Sequence, residues 1–551
     1  MKHTRQSLLI QLLVVLVFLS PVFAARGGHG GPPLQLLQQE PVPQASPVAS
    51  PSPIPAPKIG TAATLPELQT KISEILAKPE LASAIVGVKV VSLDNGRVLF
   101  EENAHKLLRP ASNMKLYTVA AALDRLSPDY RFVTSVFAHV PPDKAGVLRG
   151  NLTIYGRGDP TIAARFNNGD YLKAINDLAA KIAAAGVKRV EGDLIGDESF
   201  FVGPKYGSGW TWEDLTWYYG AEVTPLTIND NALDLFVKPG LGVSHPAVIT
   251  TGPPDPLLTI VNKVTTSAKG VRREISIHRG LAENTITITG SIPVDDPGYR
   301  GGIGISHPAL LFVYLLRSSL AAKGVMITGK SRTTGEVTQP PLVDVSPVAG
   351  QPLPKIEIAR LESQPFSVIA AQTLKPSQNL YTELILRTLG TMTAAPPTMP
   401  MLTRTSENLG VEAVKSFLQT TGIRPDSLVL DDGSGLSRSD MVTAESTVQL
   451  LTFMSRHRYA TVFRDALPIA GVDGTLRNRM KGTAAENNVR AKTGSLSSAA
   501  SLGGYVTTAA GEKLAFTIMV NNYSREVDAR SACIDPIAVL LASFTGKPEI
   551  K

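Results

Sequence analysis

Arg109-Pro110-Ala111-Ser112-Asn113-Met114-Lys115, running on into Leu116 to Leu126, is the stretch whose reading decides the fold. Pro110 and Ser112 are suitable residues for a helix start, and the Ala- and Leu-rich run behind them has helical character. Ser112 is therefore expected at or near the N-terminal end of a helix. It forms a Ser-x-x-Lys pair with Lys115, and no other serine in the chain has a lysine three residues on. Positions three apart are neighbours on one helix face. A serine hydroxyl is a poor nucleophile until a base takes its proton, and a lysine does this when burial or a nearby cation holds it neutral. The helix N-terminus favours negative charge developing on the serine oxygen. Alone, the pair reads as well as a helix-capping serine followed by a solvated lysine.

Two further clusters lie downstream. Lys375-Pro376-Ser377-Gln378-Asn379-Leu380-Tyr381 brings a hydroxyl suited to proton relay and an amide suited to holding a carbonyl; a capping serine and a turn asparagine are the bland alternative. Lys492-Thr493-Gly494 falls on the strand-like Val489 to Ser495. A lysine and a hydroxyl at a strand end suit a substrate carboxylate, and Gly494 permits close backbone approach. The Ser495 amide beside that of Ser112 would make an oxyanion hole.

Around these clusters the chain has 551 residues, 43% hydrophobic and 18% charged, which suits a folded protein of two or three domains. The start is basic (Lys2, His3, Arg5), Leu8 to Leu19 is nearly all apolar, and Val22-Phe23-Ala24 offers a cleavage site, so residues 1–24 read as an export signal. An uncleaved anchor is the alternative. Residues 25–62 are rich in Pro, Gly, Gln, Ser and Ala and read as an extended tether. Ile85 to Val91, Asp94-Asn95-Gly96 and Val98 to Phe100 form a hairpin. Three antiparallel strands are expected over Val489 to Ser495, Ala500 to Thr507 and Lys513 to Asn521, with a last helix around Ile537 to Phe544. Both chain ends would then share one sheet.

Composition also narrows the chemistry. Cys533 is the only cysteine, so no intramolecular disulfide forms and no cysteine-cluster metal site exists; a buried structural thiol is expected. The eight histidines show no ligand-like pairing. The net charge of +7 and pI near 9.2 come from scattered basic residues without a nucleic-acid motif. For an exported basic protein, the anionic wall or lipid headgroups are the expected partners, with peripheral membrane association left open.

In order and context, the three clusters are the signature of penicillin-binding proteins and β-lactamases. The chain resembles the D-alanyl-D-alanine carboxypeptidase/endopeptidase family of penicillin-binding proteins (low-molecular-mass, class C). In that family a large insertion separates the first two motifs, and here about 260 residues separate Ser112 from Ser377. Gly158-Asp159-Pro160-Thr161, Asn379-Leu380-Tyr381-Thr382-Glu383, Asp432-Gly433-Ser434-Gly435-Leu436-Ser437-Arg438 and Gly471-Val472-Asp473-Gly474-Thr475-Leu476 extend the likeness over most of residues 65 to 545.

The resemblance implies an α/β (α+β) fold of the serine β-lactamase/transpeptidase type, an antiparallel sheet flanked by helices, with large, mostly β, inserted domains. The expected division is 63–132 with 354–551 for the catalytic domain, 133–231 with 294–353 for inserted domain II, and 232–293 for inserted domain III. It implies Ser112 as nucleophile, Lys115 as its base, and Ser377 with Lys492 in proton transfer to the leaving amine. Asn379 would orient the peptide, Lys492 and Thr493 would bind the terminal carboxylate, and Arg438 would shape the site, touch substrate or form an ion pair. No cofactor is implied; the partners are peptidoglycan peptides and, as covalent inhibitors, β-lactams. Some family members hold a side-chain amine of the substrate with an acid of the inserted domain. Phe201 to Gly209 carries only Lys205 as a charged residue, so that acid is not located. A β-lactamase, or a non-catalytic wall-binding protein on the same fold, are the competing readings.

Overall fold

The computed structural model describes residues 60–253, 255–281, 283–335 and 356–546; the expected export signal and all but the end of the tether lie outside the described residues. Helix α1 (Leu65–Leu76) opens on Thr64, whose side chain accepts the Glu67 N–H, and buries Leu68, Ile72 and Ile75 along one face. Strand β1 (Ile85–Ser92) turns at Gly96, whose φ is +79°, into β2 (Val98–Glu102). The C-terminal part supplies β3 (Arg490–Leu496), β4 (Ala499–Thr507) and β5 (Lys513–Asn521). They form one sheet in the order β3-β4-β5-β1-β2, antiparallel throughout, with Ile85 opposite Asn521. The two chain ends thus meet in one sheet.

Alternation along the strands gives that sheet two buried faces. Val86, Val88 and Val90 of β1 join Phe516 and Ile518 of β5 against α1 and the last helix, where Cys533 is also buried. Val91, Ala515 and Met519 face the opposite way, onto the helical layer. At the centre of that layer runs α2 (Met114–Leu126), every residue of which is buried from Met114 to Leu123. A helix buried on all sides over so long a run is a core helix. Around it lie α3 (Phe366–Leu374), α4 (Asn379–Thr391), α5 (Ser406–Thr420) and α6 (Ala444–Arg456). The last helix is α7 (Asp535–Ser543).

Between α2 and α3 the chain builds the insertion. A mixed sheet runs in the order Ser331–Thr333, Leu194–Asp197, Leu152–Tyr155, Val133–Ala138 and Ile356–Glu362. Ile356–Glu362 pairs antiparallel with Val133–Ala138, so this sheet takes in residues beyond 354. Helices Lys173–Ala184 and Pro308–Ala322 pack beside it. Two three-stranded sheets hold residues 232–293, expected as inserted domain III. One of them pairs Ala232–Lys238 with Tyr299–Gly304, across the boundary expected at 293. A single apolar cluster runs through most of these elements, from Val136 and Ile154 to Ile288 and Phe312.

Candidate active site

Ser112 sits in a single 3₁₀ turn, Ala111–Asn113, that feeds directly into α2. The turn is held in an uncommon conformation, with Ala111 at φ +49°. Close neighbours fix it from two sides. A Cβ on Gly494 would lie 2.4 Å from the Pro110 carbonyl oxygen, and one on Gly435 would lie 1.9 Å from that of Ala111. Only glycine fits at either place. The Ser501 hydroxyl of β4 donates to the Pro110 carbonyl at 2.6 Å. In the amide orientation that satisfies both of its ends, Asn113 donates to the Lys492 carbonyl at 2.6 Å. The sheet and the start of α2 are therefore locked together at the nucleophile.

Three residues on from Ser112, as the second residue of α2, Lys115 is completely buried. Its Nζ donates to the Ser112 hydroxyl at 2.9 Å, to Asn379 Oδ1 at 2.6 Å and to the Ser434 carbonyl at 2.6 Å. Burial brings its pKa down to about 8, against the pull of Asp432, Glu383 and Asp440, which favour the charged form. An amine so placed takes a proton from Ser112 far more readily than a solvated lysine at neutral pH.

Opposite stands the second pair. Lys492, on β3 and completely buried, donates to the Ser377 hydroxyl at 2.8 Å and to the Thr493 carbonyl at 2.7 Å. Burial first, and the positive charge of Lys115 second, hold it well below the usual lysine range. Ser377 has a left-handed backbone (φ +65°), placed just ahead of α4, which Gln378 caps through the Leu380 N–H. Asn379 spans the two halves: beyond accepting from Lys115, its amide donates to the Tyr219 carbonyl of the insertion at 2.9 Å. Thr493 donates to the Thr475 hydroxyl at 2.7 Å, and Ser495 is exposed on the same strand.

The structure thus brings Ser112, Lys115, Ser377, Asn379, Lys492, Thr493 and Gly494 into one constellation. Arg438 stands beside it through the insertion: its guanidinium donates to Asp214 Oδ2 at 2.9 Å. Asp214 is an acid of the insertion, five residues beyond Gly209. Its Oδ2 also accepts from the Thr211 N–H and hydroxyl. Thr475, Tyr219 and Asp432 also contribute, outside the three motifs. Thr475 and Asp432 lie in the family-like segments Gly471 to Leu476 and Asp432 to Arg438, whereas Tyr219 contributes a backbone carbonyl that carries no residue-type signal.

Known proteins share the sequence and the fold of this chain. The model of the D-Ala-D-Ala carboxypeptidase 3 (S13) family matches residues 68–544. A D-alanyl-D-alanine carboxypeptidase of an Actinomadura species is 34% identical over 495 residues, 88% of this chain and 86% of that protein. The D-alanyl-D-alanine carboxypeptidase DacB of Haemophilus influenzae is 26% identical over 80% of this chain and 86% of its own length. The crystal structure of penicillin binding protein 4 from Haemophilus influenzae superposes with a TM-score of 0.69 at 24% identity, over 85% of this chain and 97% of that one, so the fold is shared. With its family model spanning nearly all the described residues and its site assembled as above, this chain belongs to the D-Ala-D-Ala carboxypeptidase 3 (S13) family.

Proposed function

We propose that the chain is a serine-type D-alanyl-D-alanine carboxypeptidase/endopeptidase that acts on peptidoglycan stem peptides through an acyl-enzyme and is trapped by β-lactams. The observation that carries this is the position of Lys115 Nζ, buried and within 2.9 Å of the Ser112 hydroxyl. Lys115 takes the Ser112 proton as Oγ attacks the penultimate D-Ala carbonyl. The oxyanion that forms sits against the Ser112 and Ser495 amides. Lys492, through the Ser377 hydroxyl, delivers a proton to the departing amine, and terminal D-Ala leaves. Asn379 holds the peptide, and Lys492 and Thr493 hold its carboxylate. Lys115 passes the Ser112 proton on to recharge Lys492 and is neutral again when water attacks the ester; it takes the water's proton and returns it to the released Ser112 oxygen. A β-lactam opens on Ser112 by the same attack, but its ring-opened product stays tethered.

Arg438 and Asp214 face this cleft as a charged pair, suited to the third residue of the stem peptide, with Asp214 receiving a side-chain amine. Export to the periplasm by residues 1–24 fits a wall substrate. Among the described residues no helix is long and apolar enough to cross a membrane; peripheral association through basic surface residues is part of this reading.

Intact-protein mass spectrometry after incubation with benzylpenicillin tests it. The expected result is one penicillin added to the wild-type chain and none to Ser112→Ala. No adduct with the drug unhydrolysed would overturn the reading, and no adduct with the drug consumed would make the protein a β-lactamase.

A further inference from the structure

Behind Lys115 the insertion makes a polar contact with the catalytic layer. Its segment around residues 202–210 is pinned along α4 and α5. The Ser406 N–H donates to the Val202 carbonyl at 2.7 Å, Arg387 to the Pro204 carbonyl at 2.6 Å, and the Ser208 N–H to Glu407 at 2.9 Å. Gly209 presses so closely that a Cβ there would lie 2.1 Å from the Ser437 hydroxyl. Next to it, the half-buried Trp210 donates its indole N–H to Asp432 Oδ2 at 2.7 Å.

Asp432 is the hub of the turn behind Lys115. Besides the indole, it accepts the N–H groups of Ser434 (3.0 Å), Gly435 (2.6 Å), Leu436 (3.1 Å) and Ser437 (3.0 Å), and the Ser434 hydroxyl (2.9 Å). Donors converging in this number are what a buried carboxylate needs. The turn they fix presents the Ser434 carbonyl to Lys115 at 2.6 Å. The other acids near the hub are differently placed. Glu383 Oε2 and Asp440 Oδ2 are buried without a hydrogen-bond partner among the described residues, and burial and the Asp432 charge push both groups well above the carboxylate range.

We infer that Trp210 is a positioning residue for the general base: by donating to Asp432 it holds the 432–437 turn against Lys115 and tempers the pull of that carboxylate on the lysine proton. The insertion thereby contributes to acylation without touching substrate. This rests on Ser112 and Lys115 being the acylating pair. The charged groups facing Lys115 and Asp432 are Glu383 and Arg387 on α4, Glu407 on α5, Asp431 and Asp440 beside the turn, and Lys492 on β3. Of the neutral donors to Asp432, the indole is the one that comes from the insertion.

The signs are opposite for the two partners. Removing the indole N–H leaves Asp432 less compensated, which favours charged Lys115 and moves the acylation profile to higher pH. Removing the Asp432 charge moves it to lower pH. The test is the second-order rate constant for benzylpenicillin acylation from pH 6 to 10 in the full chain, Trp210→Phe and Asp432→Asn. We expect the midpoint in Trp210→Phe to rise by about half a unit or more, with the rate at neutral pH several-fold lower and largely recovered at high pH. Asp432→Asn should shift the other way. If Trp210→Phe does not fold, benzothienylalanine at position 210 keeps the ring shape and removes only the donor. A folded variant whose rate falls equally at every pH, or not at all, overturns the inference and leaves Trp210 a packing residue. Failure of the wild-type protein to acylate at Ser112 would instead remove the base reading, and this inference with it.

Discussion

Lys492 Nζ lies 2.8 Å from the Ser377 hydroxyl, joining residues 115 positions apart in the chain across the cleft from Ser112. The ammonium is fully buried beside a second buried lysine, so it surrenders a proton easily. That is the property required of a donor to a leaving amine. Lys492→Met should therefore lower kcat/KM for release of D-Ala from a D-Ala-D-Ala peptide by about 10²–10⁴-fold. Its thermal unfolding midpoint should stay near that of the wild type, because a costly buried charge is removed along with its hydrogen bonds. Retention of full activity would take Lys492 out of the proton path.

The pH dependence of acylation follows from Lys115. Only the neutral amine accepts the Ser112 proton, and its pKa is brought down to about 8. The rate constant for benzylpenicillin should rise about tenfold per pH unit below that value and level off above it. Rapid-mixing measurement between pH 6 and 10 checks this, and Lys115→Arg, always charged, should show almost no acylation across the range. A wild-type profile flat from pH 6 to 9 would point to another base.

Much of this site is legible in the sequence, for a physical reason. Ser112, Lys115, Ser377, Asn379 and Lys492 act through their side chains, and their local contexts fix their backbone settings: a helix start, a turn before a helix and a strand. Leu514 to Val520 is a short, nearly continuous apolar run, as suits a strand buried on both faces, and the structure places β4 and β5 within a residue of the bounds Ala500 to Thr507 and Lys513 to Asn521. What escapes is of two kinds. The Ser434 and Tyr219 contributions are backbone carbonyls, which any residue type supplies. Asp214, Trp210 and Asp432 depend on how the insertion folds back onto the catalytic layer, a long-range packing outcome with no local periodicity to announce it.

Two glycines beside the nucleophile are predicted to tolerate no side chain. A Cβ at Gly435 would meet the Ala111 carbonyl at 1.9 Å on a backbone already at φ +78°, and one at Gly494 would meet the Ser501 hydroxyl at 2.1 Å. Backbone cannot move aside as a side-chain end can, so Gly435→Ala should cost about 1–3 kcal/mol of stability. It should also displace the Ser112 turn enough to abolish the penicillin adduct. Thermal unfolding and intact mass measure the two effects. Normal acylation in Gly435→Ala would show that the turn is not fixed from that side.

The Asp214–Arg438 pair carries a prediction about substrate choice. The Arg438 and Thr211 donors to this carboxylate all fall on Oδ2, which among the described residues leaves Oδ1 for an incoming cation. Asp214→Asn should lower kcat/KM about 10-fold or more for a peptide whose third residue carries a free side-chain amine, the scale of one hydrogen bond to a charged group. The same peptide with that amine acetylated should be cleaved equally by both proteins. An equal loss on both peptides would assign Asp214 a purely structural role.

Far from the cleft, Arg479 and Asp535 test what holds the catalytic sheet to its last helix. Arg479 Nε donates to both carboxylate oxygens of Asp535 at 3.2 Å, and the pair is buried, with side-chain exposures of 9% and 3%. Asp535 opens α7, directly behind the π-helical turn Arg530–Ile534. α7 in turn buries Ile537, Leu540 and Leu541 against the sheet. Asp535→Ala would strand a guanidinium among apolar neighbours, so it should destabilise the protein by about 3–5 kcal/mol. The Arg149–Glu191 pair is the control, with side chains 72% and 37% exposed; Arg149→Ala should cost no more than about 1 kcal/mol. Urea unfolding midpoints compare the two variants. Because neither residue approaches Ser112, the folded fraction of each should bind penicillin one to one; a near-neutral Asp535→Ala would mean that packing alone anchors α7.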